Sequence, residues 1–444
     1  MEVSKLITTA ICVIMSLTST AACGEPEETS NLTSSTPNKT QQNPTPTTPA
    51  PKDSAVEFAQ NLGIGWNLGN NLDAWNSSTG VAEETNWGNG KATQATFNAV
   101  KAAGYRSVRI PITWTGHIGA APEYNISTTR MNRVAEVVEY AHKAGLYVII
   151  NIHHDGHADT FNGSGQPDKF AWLKIEAAAK DESVNDAIKQ QLAKMWTQIA
   201  ERFKNEGNWL IFETLNEIHD GNWGNESLMY NPSKQYAVLN EWNQIALNAI
   251  RATGGNNATR YVGIPGYVCL PGLTAKNLKL PTDTAKGKLM VAVHSYDPWD
   301  YAGSGKYAQW GHTGNVDAYK NGEIEYVAML DMLYNKFVVN DIPVYFGEFA
   351  CVHRTDPKAE EFRKYYLEYV CKAMKDRKMV GMYWDNGYET NGKGTDDDVF
   401  GLINHNTGAF ILDGKEISKI MVNAWENTSS SYTLQSIYNR APKP

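Results

Sequence analysis

The sequence predicts an α/β chain folded as a single (β/α)8 barrel of the TIM type, and two observations predict it. Short apolar runs alternate with long helical patterns from about Ser54 to about Asn427, which is the signature of parallel strands joined by crossover helices. Eight such runs occupy that stretch, and eight strand-helix units match a closed barrel better than an open doubly wound sheet.

The predicted strands are Leu62 to Trp66, Ser107 to Pro111, Leu146 to Ile152, Trp209 to Leu215, Tyr261 to Ile264, Leu289 to His294, Pro343 to Phe346 and Val380 to Trp384. Each reads as a nearly unbroken apolar run because a parallel strand is covered on both faces. Helical spacing runs through Met131, Val134, Val138 and Ala141 up to Gly145, through Ile188, Leu192, Trp196, Ile199 and Phe203, and through Leu239, Trp242, Ala246 and Ile250. Gly145 supplies a C-terminal stop for the first of these.

The 444 residues are 42% hydrophobic and 11% aromatic, enough to bury one large core. A net charge of -8 with both signs dispersed offers no basic stripe for nucleic acid and no polybasic patch for a membrane. A neutral polymer is a compatible partner. Residues 1–22 read as a secretory signal: Lys5, the apolar run Leu6 to Leu17, then small residues from Thr18 to Ala22. The run is too short to span a bilayer, and no later segment approaches the roughly 20 apolar residues a spanning helix needs, so no transmembrane segment is expected.

Cys23 follows Ala21-Ala22 where a lipoprotein cysteine would stand, with Thr20 in the place that usually holds Leu. The expectation is a secreted chain, either free or anchored through Cys23. Residues 23–53, rich in Ser, Thr, Pro, Asn and Gln, form a disordered tether. Residues 54–430 form the folded domain and 431–444 a C-terminal tail. Cys269, Cys351 and Cys371 are odd in number and widely spaced, which predicts buried thiols rather than a disulfide framework. A monomer is expected, with no second folded module.

Polar residues recur at the C-terminal ends of the predicted strands: Arg109, His153 and His154, Asn216-Glu217, His294 and Tyr296, Glu348, and Trp384. A lone polar strand end is ordinary. Six such ends carrying Arg, His, Glu and aromatic residues converge on one mouth of a barrel, where active sites sit.

The set suits glycoside chemistry. Such hydrolysis needs one carboxylic acid to protonate the leaving oxygen and a second carboxylate facing the sugar carbon. Glu217 and Glu348, at the ends of the fourth and seventh predicted strands, are the natural pair. Asn216 offers an amide for the sugar 2-hydroxyl, Arg109 keeps the nucleophile ionised, Tyr296 donates to Glu348, and His294 orients Glu217. Trp66, Trp75, Trp87, Trp114, Trp223, Trp299, Trp310 and Trp384 fall in or near loops and suggest a cleft in which sugar faces stack on indoles. Trp172, Trp196 and Trp242 read as core.

Leu68-Gly69-Asn70, Arg109-Ile110-Pro111-Ile112-Thr113-Trp114, Asn151-Ile152-His153-His154, Phe212-Glu213-Thr214-Leu215-Asn216-Glu217, His294-Ser295-Tyr296 and Gly347-Glu348-Phe349 resemble glycoside hydrolase family 5 of clan A, the endoglucanase family. The resemblance spans residues 54 to 427. It implies Glu217 as acid/base and Glu348 as nucleophile, with Arg109, His153, Asn216, His294, Tyr296 and Trp384 as the supporting shell. Asn70 and His154 join the substrate-binding set, and neither metal nor cofactor is called for. Asn216-Glu217-Ile218-His219-Asp220-Gly221 replaces the commoner Asn-Glu-Pro and is similar to anaerobe enzymes of which some prefer xyloglucan. The expected partner is therefore a β-glucan polysaccharide: cellulose, mixed-linkage glucan or xyloglucan.

Two rival readings remain. The run His153-His154-Asp155-Gly156-His157 suits zinc or nickel, although the first strand lacks a spaced His-x-His and the metal reading gives Glu348 no role. A glycan-binding barrel without chemistry would explain the aromatics but not the two glutamates.

Overall fold

The computed structural model describes residues 54–156, 170–395 and 397–444; the signal and tether segments, Cys23 and His157 lie outside them. Eight parallel strands close into a barrel in chain order: β1 (Gly65–Leu68), β2 (Ser107–Ile110), β3 (Tyr147–Asn151), β4 (Leu210–Glu213), β5 (Val262–Pro265), β6 (Leu289–Ser295), β7 (Val344–Phe349) and β8 (Val380–Asp385). Each lies on a predicted run, shifted by at most a few residues.

The helices are α1 (Ala55–Gln60), α2 (Gln94–Ala102), α3 (Thr128–Lys143), α4 (Ile175–Lys180), α5 (Glu182–Arg202), α6 (Pro232–Ala252), α7 (Pro271–Asn277), α8 (Trp299–Ala302), α9 (Gly322–Lys336), α10 (Pro357–Asp376), α11 (Gly414–Glu426) and α12 (Leu434–Tyr438). The three sequence-predicted helices are α3, α5 and α6. α3 starts where the Ser127 hydroxyl accepts from the Arg130 N–H, and Gly145 follows its end at φ 75°, where a side chain would be strained.

The strand residues are buried almost without exception, and the outward side chains of the barrel pack against the helices in one core. Trp196 and Trp242 are fully buried and Trp172 is partly buried against that core. Cys269, Cys351 and Cys371 are free, buried thiols. Residues 434–438 form α12, with Ile437 buried and Tyr438 stacked on His312 at 3.6 Å. Among the described residues no helix is long and apolar enough to cross a membrane.

One irregularity positions the site. The β6–β7 register shifts between Val293 and His294, so that His294 pairs with Glu348 rather than with Gly347. Shifts of this kind re-aim side chains. Gly347 is the residue passed over, and no side chain fits there: a Cβ would lie 2.8 Å from His294 Nε2 and 3.4 Å from Arg109 Nε.

Candidate active site

The floor of the barrel mouth is polar and fully buried. Arg109 on β2 reaches across the lumen to Glu213 on β4, with Nη2 to Oε1 at 2.7 Å and Nε to Oε2 at 3.1 Å. Glu213 also accepts from Asn151 Nδ2 of β3 at 2.8 Å and from the Tyr345 hydroxyl of β7 at 2.7 Å. Tyr345 fits only because β5 carries Gly263, where a Cβ would lie 2.0 Å from the phenol oxygen. Burial alone would raise the Glu213 carboxyl, but the Arg109 charge outweighs it and holds Glu213 below its ordinary value. Burial likewise opposes the Arg109 cation, yet Glu213 and Glu348 raise it.

Arg109 has three further partners, which it turns into site geometry. Its Nη1 donates to Glu348 Oε1 at 2.9 Å and to Asn67 Oδ1 at 3.1 Å, and its Nη2 donates to Asn216 Oδ1 at 2.7 Å. The second oxygen of Glu348 accepts from the Tyr296 hydroxyl at 2.8 Å. Glu348 therefore sits between a cation and a hydroxyl donor, the surroundings of a charged carboxylate. The Tyr296 phenol is pushed up by burial and by the Glu348 charge, so it keeps its proton.

Glu217 lives differently. Its carboxyl contacts His294 Nδ1 at 2.6 Å, and burial lifts it to about 7, with Glu213 adding to the rise and His154 and Arg109 opposing it. His294 is lowered to about 4, first by burial, while Glu348 raises it and Arg109 lowers it; it is neutral. Its Nε2 is buried with no hydrogen-bond partner among the described residues, so we assign the ring proton to Nδ1, facing Glu217. Oxygens of Glu217 and Glu348 and the His294 nitrogen lie within 4.8 Å of one another.

The rim adds aromatic and imidazole surface. Trp384 lies parallel to His153 at 5.9 Å, and His153 Nδ1 accepts from Asn151 Nδ2 at 3.0 Å. His154 stands edge-on to His153 at 4.3 Å and 5.4 Å from Trp87. Asn70 adopts φ 59°, a conformation Asn tolerates, and its N–H donates to Asp73 Oδ2 at 3.1 Å. Every supporting residue expected from the sequence is thus drawn to one mouth.

The tryptophans divide. Trp75, Trp87, Trp223 and Trp299 are partly exposed, Trp384 is buried beside His153 at the mouth, and Trp66, Trp114 and Trp310 are buried away from it, correcting the sequence reading. Trp66 donates to Asp385 at 2.7 Å, Trp114 to the Asn151 carbonyl at 3.3 Å, and Trp310 packs among Tyr365, Tyr366 and Tyr369. Proximity to a loop does not set exposure when the indole turns back under it.

Sequence reasoning quoted Glu213, Asn151 and Gly347 within motifs but gave them no role, and passed over Asn67 and Tyr345. Glu213 had a visible signal, since an acid ending the apolar run Leu210-Ile211-Phe212 must find a cation once buried. As for metal ligation, Asp155 of the histidine run is taken by the Trp114 N–H, the Thr115 hydroxyl and the Trp172 indole. Asp73 replaces it beside His153 and His154, the three offering donor atoms within 4.8 Å of one another, but the Asp73 oxygens already accept from the Asn70 and Asn71 backbones.

A closed parallel barrel with this paired-carboxyl mouth belongs to the glycoside hydrolase class. The family model for cellulase, glycosyl hydrolase family 5, matches residues 70–390, and the chain belongs to that family. It is similar to a native Bacteroidetes-affiliated GH5 cellulase linked with a polysaccharide utilization locus, with 53% identity, a TM-score of 0.83, and coverage of 88% of this chain and 98% of that one. A GH5-4 broad specificity endoglucanase from Bacteroides salanitronis matches at 50% identity and a TM-score of 0.78, over 84% and 96% of the two chains. Endoglucanase A of Paenibacillus barcinonensis is 36% identical over 351 residues, 75% of this chain and 83% of that relative.

Proposed function

We propose that this chain is a retaining endo-β-1,4-glucanase, with Glu217 as acid/base and Glu348 as nucleophile. The approach of their carboxylate oxygens to within 4.8 Å carries the reading, because retention works at a carboxyl separation of about 5–5.5 Å and inversion needs about 6.5–9.5 Å to admit a water. The unlike surroundings divide the roles. Glu348, held by Arg109 and Tyr296, attacks the anomeric carbon. Glu217, neutral below about 7, gives its proton to the leaving oxygen, and in the second half takes one from the water that releases the sugar. With its oxygen engaged by Arg109, Asn216 has its amide N–H groups for the sugar 2-hydroxyl.

The substrate is a β-glucan, and the broad specificity named for the Bacteroides salanitronis relative favours tolerance of mixed-linkage glucan and xyloglucan beside cellulose. The N-terminal residues Lys5 and Leu6 to Leu17 support export, with the catalytic domain from residue 54 acting as a monomer on a tether that Cys23 could anchor. Glu348→Ala is expected to lower turnover of a β-1,4-glucan by about 10³-fold or more while leaving binding within a few-fold. NMR of the first products should show the β-anomer. Unchanged turnover removes the nucleophile assignment, and an initial α-anomer removes retention.

A further inference from the structure

The two carboxyls of the site are held by different means. Glu348 lies inside β7, where the ladder pairs it with His294 of β6. Glu217 lies beyond Glu213, the end of β4. The sheet still takes the Thr214 N–H, 3.0 Å from the Gly263 carbonyl, but Glu217 itself stands on the irregular segment that follows. That segment is fixed from the far side by a turn at the end of β5. The Val268 N–H donates to the Ile218 carbonyl at 3.2 Å, and the Tyr267 hydroxyl accepts from the Asp220 N–H at 3.1 Å. Tyr267 donates in turn to Gln235 Oε1 of α6 at 2.6 Å, and Gln235 Nε2 returns to Asp220 Oδ2 at 2.9 Å.

Asp220, Tyr267 and Gln235 thus close a ring of hydrogen bonds, and all three are buried. A carboxylate oxygen can only accept, so the Gln235 amide has one orientation, nitrogen to Asp220 and oxygen to the phenol. Burial first, and then the Asp220 charge, push the Tyr267 phenol up, so it keeps the proton it gives to Gln235. The turn that presents Tyr267 is itself strained. Val268 and Cys269 hold φ 54° and 52° in succession, and for a β-branched residue the left-handed region is an outlier that persists only where the surroundings enforce it. Gly266 ahead of them packs on α7 so closely that a Cβ would collide with Thr274. Strain of this kind collects at functional sites, and here the strained turn engages the one segment that carries Glu217.

We propose that Tyr267 and Gln235 are positioning residues for the proposed acid, fixing through Asp220 where the Glu217 carboxyl stands relative to the leaving oxygen. The inference rests on the reading of Glu217 as acid/base. Proton transfer needs heavy atoms within about 2.6–3.2 Å, and a misplacement of about 1 Å can cost on the order of 10²-fold in rate. His294 holds the Glu217 carboxyl; the ring holds the backbone beyond it. Glu348 has no need of the ring, since β7, Arg109 and Tyr296 hold it. Loosening the ring therefore impairs protonation of the leaving group and spares the attack on the sugar.

The test varies the leaving group alone. Dinitrophenyl β-cellobioside loses a phenolate that needs no proton, whereas phenyl β-cellobioside needs one from the acid, and both present the same sugar to Glu348. Tyr267→Phe removes a single oxygen from the ring. It should lower kcat/KM for the phenyl glycoside by about tenfold and leave kcat/KM for the dinitrophenyl glycoside within about twofold of wild type. Gln235→Met, which removes both contacts of the amide at similar volume, should do the same and serves if Y267F does not fold. If the phenyl-to-dinitrophenyl ratio falls by less than about threefold in Y267F, or in Q235M where Y267F does not fold, the proposal is overturned. An equal loss on both substrates is then a general loosening of the mouth, and no loss on either means that Glu217 needs no brace. Glu217→Ala is the control: if it leaves the ratio unchanged, or if the wild-type enzyme is inert on both substrates, the reading of Glu217 as acid fails instead, and the ring has no acid to position.

Discussion

Replacing Glu217 by Gln should stabilise the fold at alkaline pH and leave it unchanged at acid pH. The side chain is held where its charge is unwelcome, lifted from 4.5 to about 7 chiefly by burial. A carboxyl whose folded value is raised contributes stability that is fully present below its unfolded value and lost as pH rises through the folded one. The window is therefore about pH 4.5 to 7. At about 1.4 kcal/mol per pH unit the full penalty for ionised Glu217 is on the order of 3 kcal/mol. The side chain is 21% exposed, and solvent reduces this to about 1–3 kcal/mol. Gln mimics the neutral acid and still accepts from His294, so the difference in Tm between E217Q and wild type should widen by roughly 1–4 °C between pH 4.5 and pH 8.5 in a domain of this size. As the proposed acid, the same group should set the alkaline limb of kcat/KM in the wild type, with activity falling as pH rises past about 7. A Tm difference that stays constant across that range, or an alkaline limb beyond pH 9, would refute the burial argument for Glu217.

Two further outcomes follow from the floor of the site. Glu213→Gln leaves Arg109 underpaired in a fully buried position, and breaking a buried pair costs about 3–5 kcal/mol; urea unfolding should show a loss of that order, and a loss under about 1 kcal/mol would mean that Arg109 has re-paired. Gly347→Ala places a methyl 2.8 Å from His294 Nε2, so His294 and with it Glu217 must move; kcat should drop by about 10²-fold with the fold intact by circular dichroism, and near wild-type kcat would show that the close approach at Gly347 is not needed.

The barrel was legible because parallel strands buried on both faces leave continuous apolar runs, and Val148-Ile149-Ile150 or Met290-Val291-Ala292-Val293 fit nothing else between helical patterns. Strand ends moved by a few residues, as at β1, because apolar residues such as Leu62 and Ile64 continue the core outside the hydrogen-bonded ladder. The mouth residues were legible for the converse reason: His294, Glu348 and Trp384 interrupt apolar runs at their C-terminal ends. What stayed hidden depends on register and direction. Nothing local says that Asn67 and Asn151 point into the lumen, that Gly263 is the space for Tyr345, or that β6 and β7 slip at His294 so that it meets Glu348. The buried indoles of Trp66 and Trp114 were hidden likewise, since sequence places a ring near a loop but not under it.

The third carboxylate explains how two others, so close together, come to lie in unlike electrostatic surroundings. Arg109 brings one positive charge to the floor and Glu213 takes much of it through three contacts within 3.2 Å. What remains is directed by Nη1 to a single oxygen of Glu348. Glu213, held below its ordinary value by Arg109, brings a negative charge to the floor, and a charge on Glu217 would add to it. Glu213 accordingly contributes to the rise at Glu217, and Arg109 counters it only in part. Burial opposes a charge on Glu217, the proposed acid, in a site whose cation is already committed, while Glu348, the proposed nucleophile, is a group to which one of that cation's donors is aimed. An arginine on β2 alone would serve whichever carboxylate came nearer; fixing it with Glu213, Asn67 and Asn216 gives Glu217 and Glu348 the unlike surroundings on which the proposed division of labour rests.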